Sequence, residues 1–245
     1  MIRPWIAAAL AVLGLHGTPA LALTEAQLRA AVPGDVPDDA IFRTWIGVPD
    51  RTLVAWVDYE SMTSDKVTGA PSPSGPELPD VIDLTVLVVQ TSTGREMQRL
   101  HEDRIFDAAG VQFDHVEFDT ANYALAPGRR AFGVRVLGRH LGYVAEDTAT
   151  LLLLEPEGDT LRHVLTLKTL AHLATRDCGE GHDMTRTIAV ASTSTRGHAD
   201  LVVRERREDT PDGSAHPADC HPKSRRSERT TRLRFDGARY PGLPD

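Results

Sequence analysis

The sequence predicts an all-β protein: a single antiparallel β-sandwich or barrel of about ten strands, with one short N-terminal helix and one disulfide. Three observations carry this prediction. Nearly every apolar stretch alternates with a period of two. Turn residues, mainly Gly, Pro and Asp, separate these stretches at short intervals, and no helical pattern connects one stretch to the next.

The alternation is clearest in "VIDLTVLVV" (81–89), where Ile82, Leu84 and Val86 share one face and Asp83 and Thr85 share the other. Successive residues of a strand point to opposite faces, so this pattern is typical of a half-buried strand. We predict further strands at residues 52–59, 111–118, 131–138, 148–155, 161–168, 185–191, 199–206 and 231–236. A sandwich and a barrel produce the same alternation, so both stay open.

The one predicted helix lies near the N-terminus. Thr24 and Gln27 have the spacing of a capping box ahead of Leu28, and Pro33 ends the helical pattern. Further along, "SMTSDKVTGAPSPSGPELPD" (61–80) is rich in proline and poor in apolar residues, which indicates a long exposed loop. We interpret residues 23–245 as one domain that contains this loop.

The first residues indicate export. "MIRPWIAAALAVLGLHGTPALA" (1–22) has one basic residue, a short apolar run and a small-residue ending, which is typical of a cleaved signal peptide. No later stretch is apolar for long enough to form a membrane-spanning helix. The sequence therefore predicts a periplasmic or secreted protein with no transmembrane segment in the mature chain.

The composition argues against a nucleic-acid partner. The chain carries a formal net charge of −8, whereas nucleic-acid affinity depends largely on Lys and Arg side chains that neutralise phosphates. Aromatic residues make up 5% of the chain, which also disfavours a surface that stacks on single-stranded bases.

The two cysteines predict a disulfide. Cys178 and Cys220 are the only cysteines, and two thiols in an exported chain usually pair. If the last four predicted strands form an antiparallel meander, the loop with Cys178 and the loop with Cys220 lie at the same end of the sheet. That placement can bring the two Cα atoms within the roughly 7 Å that a disulfide requires.

A zinc site is the alternative for the same rim of loops. His182, Asp183, His216 and His221 would gather there with the two cysteines, and Cys with His is a common zinc ligand set. The spacings do not match paired zinc-binding modules, however, and an exporting cell oxidises thiols. We therefore favour the disulfide and expect no cofactor.

One resemblance covers most of the mature chain. "FDAAGVQFDHVEFDTANYALAPGRRAFGVRV" (106–136), "GHADLVV" (197–203) and "RFDGARY" (234–240) together resemble a family of uncharacterised exported, periplasmic β-proteins of proteobacteria. The resemblance implies export and carries no activity to any residue.

These observations favour a non-catalytic function. We expect an exported binding or accessory module of the cell envelope, with an envelope or secreted protein as its partner. A metal-dependent hydrolase that uses His182, His216 and His221 is the alternative from a different class. A small-ligand carrier of the barrel type is a third hypothesis, and it would need a cavity lined by strand residues.

Overall fold

A computed structural model describes residues 22–34, 36–60, 81–107, 112–140, 144–175, 180–211 and 223–244. These segments contain one helix and eleven strands. The helix is α1 (Glu25–Ala31), and the strands are β1 (Ile41–Thr44), β2 (Arg51–Glu60), β3 (Val81–Gln90), β4 (Glu96–Asp107), β5 (Gln112–Ala126), β6 (Arg129–His140), β7 (Val144–Glu157), β8 (Thr160–Thr175), β9 (Gly181–Thr195), β10 (His198–Thr210) and β11 (Arg225–Leu233).

All strands belong to one large sheet that is not closed as a barrel. Its main path runs β1-β2-β3-β4-β8-β7-β6-β5, and β9, β10 and β11 continue from β8. Strand β8 pairs with β7 along its length, while its other edge meets β4 at its start and β9 at its end. Every pairing is antiparallel except the short β4–β8 contact at Arg99 and Thr160. The all-β prediction is confirmed, and the barrel alternative is wrong.

The middle strands are buried on both faces. The predicted alternation in 148–155 is wrong, because Leu151, Leu152, Leu153 and Leu154 are all at most 4% exposed. A strand that is covered on both faces has a continuous run of apolar residues in its sequence. Two hydrophobic cores therefore meet at β6 and β7, one on each face of these strands.

The front core packs β2 and β3 against one face of β5–β7. Its buried members are Trp45, Leu53, Ala55, Val57, Ile82, Leu84, Val86, Val88, Val116, Phe132, Val134, Val136, Leu152, Leu154 and Leu161. The back core packs the opposite face against β10, β11 and the segment that follows them. Its buried members are Tyr123, Leu125, Ala131, Leu153, Val164, Leu165, Leu167, Leu201, Val203, Leu233, Phe235 and Tyr240.

Helix α1 covers part of the outer face of β2 and β3. Leu28 of the helix packs with Val54, Trp56, Leu87 and Val89, which alternate with the front-core residues of the same strands. The capping box is confirmed, since the Thr24 side chain accepts from the Gln27 backbone N–H and the Gln27 side chain accepts from that of Thr24. Within the described segments no helix has the length and apolarity needed to cross a bilayer.

The predicted meander of the last four strands is confirmed. Strands β8, β9, β10 and β11 pair in order, each antiparallel to the next. Gly181 lies opposite both Ala174 and Thr210, and Asp209 lies opposite Arg225. The strand ends that flank the two cysteine-bearing segments therefore lie at one end of the sheet. Cys178 and Cys220 themselves are outside the described residues, as is the proline-rich segment 61–80.

The sequence pattern does not predict β1 and β4, and it predicts the last strand at the wrong bounds. Strand β1 has four residues, and β4 ("EMQRLHEDRIFD") carries so many charged side chains that its apolar alternation is weak. The last strand ends at Leu233, so the strand predicted at 231–236 is wrong beyond that residue. Phe235 and Tyr240 lie beyond it and fill the back core from an irregular segment.

The packing at β6 and β7 has a direct test at Gly133. A Cβ atom at this position would lie 2.5 Å from Leu151 Cδ1 and 2.9 Å from Asp119 Cβ, closer than packed carbons can approach. We expect Gly133→Ala to lower the free energy of unfolding by about 1–3 kcal/mol, as overpacking does in well-packed cores. Urea unfolding followed by circular dichroism measures the change.

Gly181→Ala is the matched control. It also places a Cβ on a strand, but its nearest neighbour would be 3.4 Å away and the backbone is not left-handed. We expect little change in stability for this variant. Equal stabilities of the two variants would contradict the close packing described for Gly133.

Candidate functional site

An arginine-lined pocket lies at one end of the sheet, where the turn after β1 faces the β5–β6 hairpin. Its cavity volume is about 430 Å³. The turn, the first residues of β2 and β4, the hairpin and the end of β7 all contribute to it. The lining residues are Trp45, Gly47, Val48, Pro49, Arg51, Gln98, Ala124, Ala126, Gly128, Arg129, Arg130 and Pro156. We call this cavity the arginine pocket.

The arginine pocket is strongly basic within an acidic protein. Arg51, Arg129 and Arg130 line it, and no Asp or Glu among the described residues contributes to the lining. The chain as a whole has a net charge of −8, so this local excess of positive charge runs against the overall balance. Clefts lined by charges of one sign concentrate ligands of the opposite sign.

Local backbone geometry positions the guanidinium groups. Arg51 Nη1 donates to the Asp50 carbonyl oxygen at 2.8 Å, and Arg130 Nη2 donates to the Thr120 carbonyl oxygen at 3.3 Å. Gly47 has a left-handed φ of 78°, and a Cβ there would collide with the Arg130 guanidinium. Glycine thus provides both the turn and the space that Arg130 occupies.

Two buried N–H groups of the lining residues have no hydrogen-bond partner in the part of the chain that the structure describes. Trp45 is 4% exposed, and its Nε1 forms no hydrogen bond. Arg130 Nε is also buried and unpaired. The Trp45 ring is held edge-on against Phe132, with ring centroids 4.9 Å apart. Buried donors are nearly always satisfied in folded proteins by another protein group, an ordered water or a ligand.

The pocket also has an apolar part. Val48, Pro49 and Pro156 contribute to the lining together with the ring of Trp45 and the small side chains of the β5 end. A register shift between Ala124 and Ala126, opposite Arg130 and Arg129, interrupts the hairpin at this point. Such irregularities re-aim neighbouring side chains, which lets two consecutive arginines line one cavity.

Arg129 connects the pocket to a buried ionic network. Its Nη1 lies 3.7 Å from Glu155 Oε2, and its Nη2 lies 3.3 Å from Glu157 Oε1. Glu155 is fully buried, and its Oε2 also accepts from Arg162 Nη2 at 2.5 Å and lies 3.2 Å from His198 Nε2. One buried carboxylate therefore contacts two arginines and one histidine from three different strands.

Aromatic side chains close this network on its other side. The His198 ring stacks on Phe235 with centroids 3.9 Å apart, and Arg162 lies over the same ring. Tyr240 donates to the Ala199 carbonyl oxygen at 2.6 Å. Burial, followed by the negative charge of Glu155, raises the pKa of the Tyr240 hydroxyl well above its ordinary value. Because the His198 ring packs between the Glu155 carboxylate and the Phe235 ring, we assign His198 a structural role.

The predicted metal ligands are only partly within the described residues. His182 and Asp183 lie on β9, where neighbours point to opposite faces, and each pairs with a different strand. His182 Nδ1 is 2.6 Å from Asp209, and Asp183 pairs with His172. Hydrogen bonding to His182 is the main reason why the pKa of Asp209 is lowered. His216, His221, Cys178 and Cys220 lie outside the described residues, so the zinc alternative and the disulfide stay predictions.

A second cavity, on the strands of the meander, has balanced charge. Its volume is about 350 Å³, and its charged lining residues are Asp183, Arg206, Arg207, Glu208, Arg226 and Glu228. Glu208 pairs with Arg226 at 2.9 Å and Arg206 with Glu228 at 3.1 Å. Three acids facing three arginines leave no excess charge for a ligand to neutralise, so this groove is a solvated sheet face.

The chain matches no protein-family model, no curated protein and no solved structure. The function is therefore inferred from the residues of the site itself.

The sequence analysis missed the arginine pocket. Its residues come from four places in the chain that only the fold brings together. A faint signal was present in "PGRR" (127–130), where two arginines follow a hairpin turn directly, and in "WIGVPDR" (45–51), where a tryptophan sits in a turn. Neither has a spacing that is typical of a known site.

The ionic network below the pocket can be tested through Glu155. Removing a buried carboxylate leaves its cationic partners uncompensated, which typically costs about 3–5 kcal/mol. Arg162 retains some solvent contact, so we expect Glu155→Ala to lower the free energy of unfolding by about 3 kcal/mol. Chemical denaturation measures it.

Glu157→Ala is the control, because Glu157 pairs with the same two arginines from the surface, where its side chain is 43% exposed. Exposed ion pairs contribute about 0–1 kcal/mol, so this variant should unfold much like the original protein. If both variants lost the same stability, Glu155 would not be the centre of the network.

Proposed function

We propose that this chain is an exported, non-catalytic binding module of the cell envelope whose binding site is the arginine pocket. The ligand that we propose is a small molecule with one anionic group and an apolar body. A single observation carries the proposal: three arginines, and no carboxylate among the described residues, line one cavity of about 430 Å³.

The anionic group follows from the donors. The guanidinium groups of Arg51 and Arg130, which form no ion pair among the described residues, offer N–H donors in planar arrays that suit carboxylate, sulfonate or phosphate oxygens. Arg129 adds positive charge to the lining, although Glu155 and Glu157 already contact it. The Trp45 Nε1–H adds a donor that has no acceptor among the described residues. An anion supplies the negative charge and the acceptor that this set lacks.

The apolar body follows from the size and the remaining lining. A volume of about 430 Å³ falls within the usual range for pockets that bind small molecules. Val48, Pro49 and Pro156 offer no hydrogen bonds through their side chains, so a purely ionic ligand would leave this surface unused. An amphiphilic anion satisfies both parts of the pocket.

Binding without chemistry follows from the types of residue present. The lining contains no Ser, Thr, Cys, Tyr, His, Lys, Asp or Glu among the described residues. Arginine stays protonated in proteins and cannot exchange a proton with a substrate near neutral pH. The pocket thus lacks a nucleophile and a general acid or base, which supports a binding role.

Two fluorescent probes of similar shape test this function. 1-Anilinonaphthalene-8-sulfonate carries a sulfonate on an aromatic body, and N-phenyl-1-naphthylamine is its neutral counterpart. We expect one sulfonate probe to bind per chain, at least tenfold more tightly than the neutral probe. Arg51→Gln and Arg130→Gln should each weaken it about tenfold, since a hydrogen bond to a charged group contributes about 1.5–3 kcal/mol.

Arg139→Gln is the matched control, because Arg139 is an exposed arginine of β6 that pairs with Asp147 outside the pocket. It should leave the affinity for the sulfonate probe unchanged. Trp45→Phe removes the N–H and keeps a ring against Phe132, so it should weaken the sulfonate probe more than the neutral one. Equal affinities of the two probes, or no effect of Arg51→Gln and Arg130→Gln, would refute the proposal.

The proposal includes export, one domain over residues 23–245, and a disulfide between Cys178 and Cys220. It also takes the sheet layers to pack face to face as in a β-sandwich. The two cores on opposite faces of β6 and β7 support the layering, and the adjacent strand ends beside the cysteine-bearing segments support the pairing.

Mass spectrometry of the protein produced with its N-terminal segment in an exporting host tests cleavage and pairing together. We expect the mass of a chain that starts at Leu23, reduced by two hydrogens. A full-length chain would contradict the signal peptide, and thiols that react with iodoacetamide before reduction would contradict the disulfide.

A further inference from the structure

A second polar cluster lies on the outer face of the sheet, beyond the part that α1 covers. Asp83 and Thr85 project from β3 on the same face as Leu87 and Val89, which pack under the helix. Strand β4 brings His101 opposite Thr85, with Asp103 two residues further on. The cluster lies at the opposite end of β2–β4 from the arginine pocket.

Three ligand atoms converge in this cluster. One carboxylate oxygen each from Asp83 and Asp103 and one ring nitrogen of His101 all lie within 4.8 Å of one another. His101 Nε2 and Asp103 Oδ1 are 3.2 Å apart. Atoms that share one tetrahedral ion at bonds near 2 Å stand about 3–3.5 Å apart, so a small side-chain movement closes the set. The Asp103 side chain is 77% exposed, so it has the space to make that movement.

Neighbouring groups already orient two of the three ligands. The Thr85 hydroxyl is buried and lies 3.0 Å from His101 Nδ1, so Nε2 is the nitrogen that faces the carboxylates. The Arg104 backbone N–H donates to Asp83 Oδ1 at 2.8 Å and fixes that carboxylate. Metal-binding histidines are commonly oriented in this way through their second nitrogen.

Two carboxylates of this face oppose each other across β2 and β3. Asp58 of β2 lies directly opposite Asp83 in the register, a like-charge pairing that destabilises a sheet. Among the described residues, no Lys or Arg forms an ion pair with Asp58, Asp83 or Asp103. Elsewhere the sheet pairs its acids with arginines, as in Arg135–Asp119 and Arg139–Asp147. A cation is the component that this cluster lacks.

We propose that Asp83, His101 and Asp103 bind one divalent transition-metal ion, with Asp58 beside it as a further carboxylate. The imidazole nitrogen favours ions such as Zn²⁺ over Mg²⁺ and Ca²⁺, which prefer oxygen ligands alone. The bound ion neutralises the facing carboxylates and joins β3 to β4. Its binding therefore also stabilises the fold.

Isothermal titration of the chelator-treated, dialysed full chain with Zn²⁺ tests the site. We expect one ion per chain at this site, and an affinity at least tenfold lower in His101→Gln and in Asp83→Asn. Asp103→Asn provides a variant that cannot disturb the core, because the Asp103 side chain is 77% exposed, and it should weaken binding similarly. Zn²⁺ should raise the melting temperature of the original chain and not that of these variants.

Two controls separate this site from other histidines. His115 is exposed and pairs with the neighbouring Asp114, so His115→Gln should bind Zn²⁺ like the original chain. His182→Gln should also leave this site intact, because His182 pairs with Asp209 on β10. Unchanged Zn²⁺ affinity in folded Asp83→Asn and Asp103→Asn, or loss of the ion in His182→Gln alone, would overturn the proposal.

Discussion

The burial of both faces of the middle strands is the constraint on which the rest of this structure depends. A run of four leucines at 151–154 cannot be shielded by one layer, because alternate residues of a strand face opposite ways. Strands β2 and β3 cover one face, and β10, β11 and the closing segment cover the other. The first polar residue after the run, Glu155, is buried by the same layers and therefore needs its arginine and histidine partners.

Charge is organised around that packing. On most exposed strand faces, acids and arginines from neighbouring strands are paired, and such pairs carry no excess charge. Among the described residues, two places on β2–β4 depart from this pattern. Arg51 contributes to a cavity with unbalanced positive charge at one end, whereas Asp58 and Asp83 face each other at the other end. The two departures are the two places where we infer that something outside the chain completes the structure.

The sequence predicted the features that depend on local pattern. The capping box at Thr24 and Gln27, the all-β class and the order of the last four strands all follow from short-range signals. The sequence did not predict the features that depend on contacts between distant parts of the chain. Strand β4 is specified by its pairing with β3 rather than by its own alternation, and the leucine run required knowledge of both covering layers. The arginine pocket draws on distant parts of the chain, so no window of sequence could contain it.

The junction at β8 has a consequence for the order in which the chain acquires its structure. The edge of β8 that faces away from β7 is shared between β4, which precedes it by some sixty residues, and β9, which follows it. The first four strands therefore keep an incomplete edge until residues 160–175 have emerged. Among the described strands, β4–β8 is the one pairing between strands that are not consecutive in the chain. The first four strands and the last seven strands therefore join into one sheet only where Arg99 meets Thr160, and a change at that point would separate two otherwise continuous runs of hairpins.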